Sequence, residues 1–500
     1  MDTNYNEKRE EAKKVVEQLR EAGINPYPEK FNKQIDINKV AELEPGQEVE
    51  TAGRVVLLRT IGKITFAHLQ DFSGRMQVAI KRDVVEEESY SWFLKTFDVG
   101  DFLGVKGEIF LTKTGEKTIL IKEPTFLGKA LLGMPEKWSG VKDQETKYRQ
   151  RHLDLIANPN SMKTFLFRSD LIRKLREFYW EHDFQEVETP TLMHKATGAV
   201  AKPYVTHHDA LDLDLYLRIS HELPLKNLIT GGFERIFELG KAFRNEGIDV
   251  SHLPEHTHLE HYVAYWNYED NMDFTEKMFR YLVEELELPG VIEMEDGVRI
   301  DMSFPWPRVN FVELMKEKTG IDVASYSEAE SLRAKLREKG ISLDGAEDMS
   351  APGLIDNLYK KVVRPKLINP VFLYGYPAHT QPLARRNDQD PTMVDQFQLV
   401  IRGWEVVKAY SELVDPVEQE ERFTEQAKSK EKGEEEVMEI DHDYIKTMSY
   451  GMPPISGFGL GVDRLTALLL GKNNLRDVVL FPLLRPENPD PDLSKDGKEE

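Results

Sequence analysis

Four of the chain's 13 histidines fall within eleven residues, Ser251-His252-Leu253-Pro254-Glu255-His256-Thr257-His258-Leu259-Glu260-His261. Histidine at this density makes metal coordination the first chemistry to test, because neutral imidazole is a common metal ligand. A helical i, i+4 pair would use His252 and His256, but Pro254 lies between them and disfavours a helix. In a strand, period two puts His256, His258, Glu260 and Tyr262 on one face and Thr257, Leu259, His261 and Val263 on the other. Two readings stay open: a metal held by two histidines and Glu260, or a row of polar side chains lining a pocket floor.

Three further stretches carry chemistry. In Phe237-Glu238-Leu239-Gly240-Lys241-Ala242-Phe243-Arg244-Asn245-Glu246-Gly247 an extended strand ends in Arg-Asn-Glu, and with the histidine stretch it forms a hairpin. A fixed Arg beside a Glu at a strand end suits an anion with a polar base attached, a nucleotide; the alternative is a surface hairpin with an ordinary ion pair. Gly457-Phe458-Gly459-Leu460-Gly461-Val462-Asp463-Arg464 has glycine at every second position, which lets a strand pass close beneath a flat ligand before a buried helix opens. It lacks the G-x-G-x-x-G dinucleotide spacing, and tight helix packing would produce the same pattern. Trp404-Glu405-Val406-Val407-Lys408-Ala409-Tyr410-Ser411-Glu412 reads as a strand whose even and odd positions face opposite ways unless a bulge intervenes. Carboxylates on a central strand are costly to bury unless a cation or metal shares the site; an exposed sheet edge is the alternative.

These residues need a scaffold of more than one core. Five hundred residues exceed the roughly 250–300 at which single cores stop growing, so two or three domains are expected. The absence of cysteine excludes disulfides, thiol nucleophiles and iron–sulfur clusters, and fits a reducing cytosol. The N-terminus is charged throughout, without a signal-type apolar segment, and the run Leu465 to Leu470 is too short to span a bilayer. A net charge of −22 argues against a general nucleic-acid coat, yet Thr51 to Arg82 holds six basic residues against one acid, Asp71.

Residues 7–22 pattern as a helix ended by Gly23-Ile24-Asn25-Pro26. Between 50 and 130, five short alternating runs (VETAGRVVLLR, KITFAHLQD, GRMQVAI, FLGVKGEIFLT, KTILIKE) suit a small closed barrel of the oligonucleotide-binding (OB) type. Leu131 to Val141 reads as a linker, and 146–183 is strongly helical. Long strands at Ile236–Arg244, His256–Trp266 and Asp395–Val406 point to an α+β domain on a mainly antiparallel sheet flanked by helices. The charged stretches 311–350 and 417–439 read as solvated peripheral helices.

Taken together, these stretches resemble the class II lysyl-tRNA synthetases over nearly the whole chain, from Val49 to Pro486. FERIFELGKAFRNEG with PEHTHLE resembles the family's motif 2, GFGLGVDRL its motif 3, and the long helix running into VETP its motif 1. RQRHLDLI, THHDALDLDLYLRISHELPLKNLITGGFERIFE and YPAHTQPLARRND resemble the lysine enzymes in particular. The resemblance implies a helical extension at 1–48, an OB-fold anticodon-binding domain at 49–130, a linker at 131–145, a catalytic domain at 146–486 and a disordered tail at 487–500.

It also implies activation of L-lysine by ATP with Mg2+, transfer to tRNA(Lys), a cytoplasmic location, and a homodimer built on motif 1. Arg244 and Arg464 become the catalytic clamps on the phosphates; Glu246, His252, His256 and Glu405 complete the ATP site. Gly198 and Glu222 hold the α-amino group of lysine, and Glu260, Tyr262, Lys408, Tyr410 and Glu412 surround the rest of it. Glu405 and Gln398 take the metal, while Arg59, Phe66 and Gln77 read the anticodon. From its type alone, Phe66 reads equally well as a core aromatic.

Four positions depart from the family pattern: Gln398 replaces a metal-binding glutamate, Lys408 an asparagine, Ser251 a phosphate-binding arginine, and His256 a stacking phenylalanine. Three other readings compete: an enzyme that lysylates a protein, a non-catalytic RNA-binding regulator, and an aspartyl or asparaginyl ligase. The first group lacks the anticodon barrel; the clamp arginines and lysine pocket oppose the second; and Glu222, Glu260 and Glu412 would repel an acidic substrate.

Overall fold

The computed structural model describes residues 3–132, 143–195, 198, 201–380, 384–431 and 441–487. Residues 133–142 of the expected linker, 432–439 of the charged segment, 381–383 of YPAHTQPLARRND and 488–500 of the expected tail lie outside the described residues. The chain divides into two compact units, Met1–Gly140 and Val141–Glu500.

The first unit opens with the helix Thr3–Glu21. Gly23 stops it at φ 76°, a conformation cheap only for glycine, and Ile24 N–H and Gly23 N–H cap the carbonyls of Leu19 and Arg20. Five strands follow: β1 (Glu48–Ile61), β2 (Ile64–Gln70), β3 (Arg75–Lys81), β4 (Phe102–Leu111) and β5 (Lys117–Gly128). They close into a barrel in the order β1-β2-β3-β5-β4, with the β3–β5 pair parallel and the rest antiparallel. Period-two alternation sends Thr65, Ala67 and Leu69 of β2 inward and leaves Ile64, Phe66 and His68 half-buried on the other face. A helix not foreseen from the pattern, Glu87–Thr96, lies between β3 and β4 and adds Tyr90 and Phe93 to the barrel's core.

In the second unit the helical stretch 146–183 is three helices, Gln144–Arg149, Arg151–Ala157 and Pro159–Glu181. The chain leaves helical geometry at Gln150 and again at Asn158, where Pro159 removes a donor and starts the next helix. The strands are β6 (Gln185–Glu186), β7 (Leu192–Met193), β8 (Val205–His208), β9 (Leu213–Leu217), β10 (Arg235–Phe243), β11 (Glu255–Ala264), β12 (Val291–Glu293), β13 (Arg299–Asp301), β14 (Arg308–Asn310), β15 (Val371–Pro377), β16 (Met393–Ile401), β17 (Trp404–Ser411) and β18 (Ile455–Gly461). Eight of them form one sheet, β14-β15-β16-β17-β18-β11-β10-β6, antiparallel except at its two outer pairs. The architecture is therefore α+β, as the patterning implied.

One expectation is corrected here. The stretch Asp395–Val406 is not a single strand but a hairpin, because Arg402 (φ 51°) and Gly403 (φ 69°) both turn left-handed between the paired Ile401 and Trp404. The charged stretches are also less peripheral than their composition suggests. Within 311–350, Phe311, Leu314, Met315, Leu332 and Leu336 bury a core against β15 and β16. The helix Pro416–Glu431 buries Phe423 beside Leu223, Tyr444 and Met448.

Candidate active site

One face of the eight-stranded sheet packs on helices and the other carries the polar residues. The packed face holds His261, Leu259 and Val263 of β11, Phe458 and Leu460 of β18, and Phe397, Leu399 and Ala409 of the β16–β17 hairpin. His261 stacks on Phe458 at 4.4 Å, donates from Nε2 to Asn271 Oδ1 at 2.6 Å and accepts at Nδ1 from Tyr179 Oη at 2.7 Å. Burial pushes its imidazole down to about 3, so it is a neutral core histidine.

On the opposite face, register aligns Glu238 with Glu260, Glu260 with Gly459, and Gly459 with Lys408. Tyr262 and Tyr410 both pair with Gly457. A bulge decides what joins them on β17: Val400 pairs with Glu405 and Leu399 with Val407, so Val406 is the extra residue. Val406 and Val407 both enter the core, and Glu405 lands on the face of Lys408, Tyr410 and Gln398 despite its odd spacing. The alternate glycines of β18 leave this floor low. A Cβ at Gly457 would collide with Glu412 Oε1, and one at Gly459 would meet His258 Cε1 at 3.0 Å.

At one end of the floor lies an acidic pocket. The helix Glu222–Thr230 puts Glu222 and Lys226 on one face, and Lys226 Nζ bonds Glu222 Oε1 at 2.5 Å and lies 2.5 Å from Glu412 Oε2. Tyr410 Oη donates to Glu222 Oε1 at 3.0 Å. The rings of Tyr262, Tyr410 and Tyr444 surround the Lys226 ammonium at 5.8–5.9 Å. Gly198, at φ 90°, lies against Glu222 and Ser220. Burial would discharge Lys226, but Glu222 and Glu412 outweigh it and hold the ammonium charged. Glu412 is pushed up to about 8 by burial, against the pull of Lys226 and with Glu222 adding repulsion.

Glu260 is buried beside them and, among the described residues, pairs with no Lys or Arg; its Oε1 faces Ser220 Oγ (2.9 Å), His221 N (3.1 Å), His221 Nδ1 (3.4 Å) and His258 Nδ1 (3.0 Å). Tyr262 Oη stands 3.5 Å from Oε2. Burial alone would raise this carboxyl, yet the bonds from His221 and His258 hold it well below the usual range, so it is ionised.

The other end is cationic. Arg464 opens the helix Val462–Leu469, and its guanidinium donates to Glu405 O at 2.9 Å and Ser251 O at 3.4 Å. Burial lowers its pKa first, with Arg244 and Arg364 adding repulsion and Glu405 opposing. Arg244 directly follows β10 at the hairpin mouth, and among the described residues its buried Nε has no hydrogen-bond partner. His256 is pushed down to about 2 by burial, His258, Arg244 and Arg464, which makes it a neutral ring beside two cations. Glu246 is exposed in the loop, and His252 is turned to Asp249 at 2.8 Å. The adjacent Asp463 is structural: it accepts from Thr257 N at 2.8 Å and pairs with Arg168 at 2.6 Å.

Of the two candidate metal ligands, Glu405 keeps its carboxylate on the floor, while Gln398 Oε1 already accepts from Tyr376 Oη at 2.9 Å and pairs in register with Lys408. In the barrel, considered by itself, Arg59 pairs with Phe66 and His68 with Gln77, all at exposed or half-buried positions; Gln77 Nε2 donates to Thr118 Oγ1 at 2.8 Å. Phe66 is absent from the barrel's core.

Two family descriptions match the chain: tRNA synthetases class II (D, K and N) over residues 143–485, and an OB-fold nucleic acid binding domain over residues 49–125. The lysine–tRNA ligase of Aquifex aeolicus is 46% identical over 88% of this chain and 73% of its own length. Those of Thermosipho africanus (43%, over 96% of each chain) and Magnetococcus marinus (43%, over 97% of this chain and 100% of its own) agree along almost the whole length. The chain belongs to the class II lysine–tRNA ligase family.

Within this lysine–tRNA ligase fold, the structure brings Gly198, Glu222, Tyr410 and Glu412 together, with Tyr262 and Glu260 adjoining, and sets Arg244, His256, Glu405 and Arg464 at the cationic end. Glu246 and His252 stay on the exposed hairpin loop. Sequence reading missed Lys226, His221, Ser220 and Arg364. Lys226 stands at i+4 from Glu222, a spacing that signals an ion pair once the helix is granted. Arg364 carries no such signal, because the turn that brings it near Arg464 is set by distant packing.

Proposed function

We propose that this chain charges tRNA(Lys): it activates L-lysine with ATP to lysyl-adenylate and passes the lysyl group to the terminal ribose of the tRNA. The observation that carries the reading is the juxtaposition on one sheet face of a buried acidic pocket, Glu222–Lys226–Glu412 with Glu260, and a buried arginine end, Arg244 and Arg464. One end suits a diamine's positive charges, the other a triphosphate.

The α-carboxylate of lysine attacks the α-phosphorus of ATP; the new P–O bond forms as the bond to the β-phosphate oxygen breaks, and pyrophosphate leaves. The ribose hydroxyl then attacks the lysyl carbonyl, its proton passes to the adenylate's phosphate, and AMP departs with the acyl C–O electrons. No protein nucleophile enters, so alignment and charge compensation supply the rate. Arg244 and Arg464 compensate phosphate charge, with Arg364 adding positive field where Ser251 supplies none. Neutral His256 stacks on adenine and Glu246 reads its edge, with His252 in the adjoining loop. Gly198 and Glu222 receive the α-amino group. Glu260, Tyr262, Tyr410 and Glu412 receive the side chain, and Lys408 lies toward the substrate carboxylate.

Mg2+ fits the site through Glu405 and the phosphates of ATP, since this ion commonly takes only one or two protein carboxylates; Gln398 adds an amide oxygen already hydrogen-bonded to Tyr376. When bound, it neutralises phosphate charge. The closed barrel, with Arg59, Phe66 and Gln77 outside its core, supports anticodon reading and so favours tRNA over a protein acceptor.

The division into 1–48, 49–130, 131–145, 146–486 and 487–500 belongs to the same reading. A homodimer is supported by exposed Phe481 (78%) and Leu483 (59%) beside Tyr148 and Leu253 in one surface groove. A cytoplasmic location is supported by the cysteine-free composition; among the described residues no helix is long and apolar enough to cross a membrane. The deciding experiment is lysine-dependent ATP–pyrophosphate exchange at saturating magnesium. Exchange with lysine and not with aspartate or asparagine is expected, and its absence would overturn the reading.

A further inference from the structure

His221, His258 and Glu260 place three ligand atoms within 4.8 Å of one another. Glu260 Oε1 stands 3.4 Å from His221 Nδ1 and 3.0 Å from His258 Nδ1. A tetrahedral ion with metal–ligand bonds of about 2.0–2.1 Å separates its ligand atoms by roughly 3.3–3.5 Å. Two of the three ligand-to-ligand distances therefore already stand close to the edge of a coordination tetrahedron, and the third is within 4.8 Å.

With neutral imidazoles, hydrogen bonding leaves the cluster unbalanced. Four groups, Ser220 Oγ, His221 N, His221 Nδ1 and His258 Nδ1, converge on Glu260 Oε1, an oxygen with two lone pairs. His221 is fully buried, and among the described residues its Nε2 has no hydrogen-bond partner while facing Glu238 Oε1 at 3.7 Å. If neutral His221 gives its Nδ1 proton to Glu260, its Nε2 lone pair confronts a carboxylate. If Nδ1 instead ligates a cation, Nε2 carries the proton and points it at Glu238, the carboxylate–histidine–metal arrangement that orients such ligands. The Cε1–Nε2 edge of His258 lies over Gly459, where a Cβ would meet Cε1 at 3.0 Å.

We propose that His221, His258 and Glu260 form a binding site for a divalent transition ion of the zinc class, and that this ion and the substrate's ammonium exclude each other because both use Glu260. Two imidazoles and one carboxylate select this class over Mg2+, which prefers oxygen donors, so the site is chemically distinct from the one at Glu405. The competitive half of the proposal rests on Glu260 serving lysine; the metal half does not.

The test uses the full-length protein freed of metal with a chelator and titrated with Co2+, whose four-coordinate complexes absorb strongly in the visible. One equivalent of Co2+ with d–d bands is expected, displaced by Zn2+ and not by Mg2+. His258→Ala, at a half-buried position, weakens binding at least about 100-fold, and His221→Ala does the same if circular dichroism shows it folded. His152→Ala, at an exposed histidine, leaves binding unchanged. Added lysine raises the apparent Kd for Co2+, and Zn2+ raises the KM for lysine in exchange without altering that for ATP. Absence of the bands at equimolar Co2+, or bands that persist in His258→Ala, overturns the site. Co2+ binding indifferent to lysine overturns the competition. Chelator-treated protein that, supplied with saturating Mg2+ and no Co2+ or Zn2+, fails to exchange with lysine overturns instead the proposed function.

Discussion

Lys226 Nζ lies 2.5 Å from Glu412 Oε2 and 2.5 Å from Glu222 Oε1, so two carboxylates assigned to the substrate are already bridged by a lysine of the protein. The pocket holds three carboxyl groups, and among the described residues Glu260 is the one of them without a Lys or Arg partner. Lys226 compensates the buried carboxyl groups beside it, Glu222 and Glu412, whose negative charge burial would otherwise penalise.

Lys226→Met strands Glu222 and Glu412 in an apolar enclosure. A loss of roughly 3–5 kcal/mol in unfolding free energy is expected, the cost of removing one partner of a buried pair. The penalty grows as pH rises, because a protonated Glu412 is neutral and an ionised one is not. Denaturant unfolding measures it; a loss below about 1 kcal/mol would contradict the pairing.

Lysine binding releases a proton. Burial pushes the Glu412 carboxyl up to about 8, so it carries part of a proton at neutral pH. A second ammonium nearby favours the carboxylate and pulls this pKa down, so binding at pH 7 expels part of a proton and tightens as pH rises toward 8. Calorimetry in buffers of different ionisation enthalpy reads the released fraction from the slope. A flat response would refute the role of Glu412.

Gly457→Ala builds a methyl group into Glu412 Oε1 and 2.6 Å from Tyr262 Cε1. Displacing those groups by close to an ångström costs about 100-fold in kcat/KM for lysine, with the KM for ATP unchanged. Gly461→Ala, whose methyl meets Arg464 only at 3.7 Å, is expected to be tolerated. Equal damage from both variants would show that the glycine row serves packing alone.

Phe66→Ala removes a half-buried ring that the barrel's core does not use. Stacking of a base on an aromatic ring contributes about 1–3 kcal/mol, so the KM for tRNA rises by roughly 5- to 150-fold while ATP–pyrophosphate exchange is unaffected. Joint loss of both activities would place Phe66 in folding instead of recognition.

Much of this was legible along the chain because it follows from local periodicity. Period two separated His261 from His258 and Glu260, and the sheet indeed buries one on Phe458 and turns the others to the floor. The five barrel runs needed only alternation and turn residues. The helix Glu87–Thr96 was missed because EEESYSW shows charge before it shows its buried ring positions.

What the sequence determined by itself was the element types, the face each residue takes within an element, and, through motifs 2 and 3, the family. Tertiary structure decided which faces meet. Tyr410 and Glu222 are 188 positions apart, and no local pattern encodes their bond. The bulge at Val406, which turns Glu405 to the face of Lys408, arises from its register against Val400 and Leu399 in the neighbouring strand. Lys226 shows both levels: helical spacing prescribes its pair with Glu222, while its pair with Glu412 exists only because the sheet carries that carboxylate to the same buried spot, where low dielectric makes each charge answer for its neighbour.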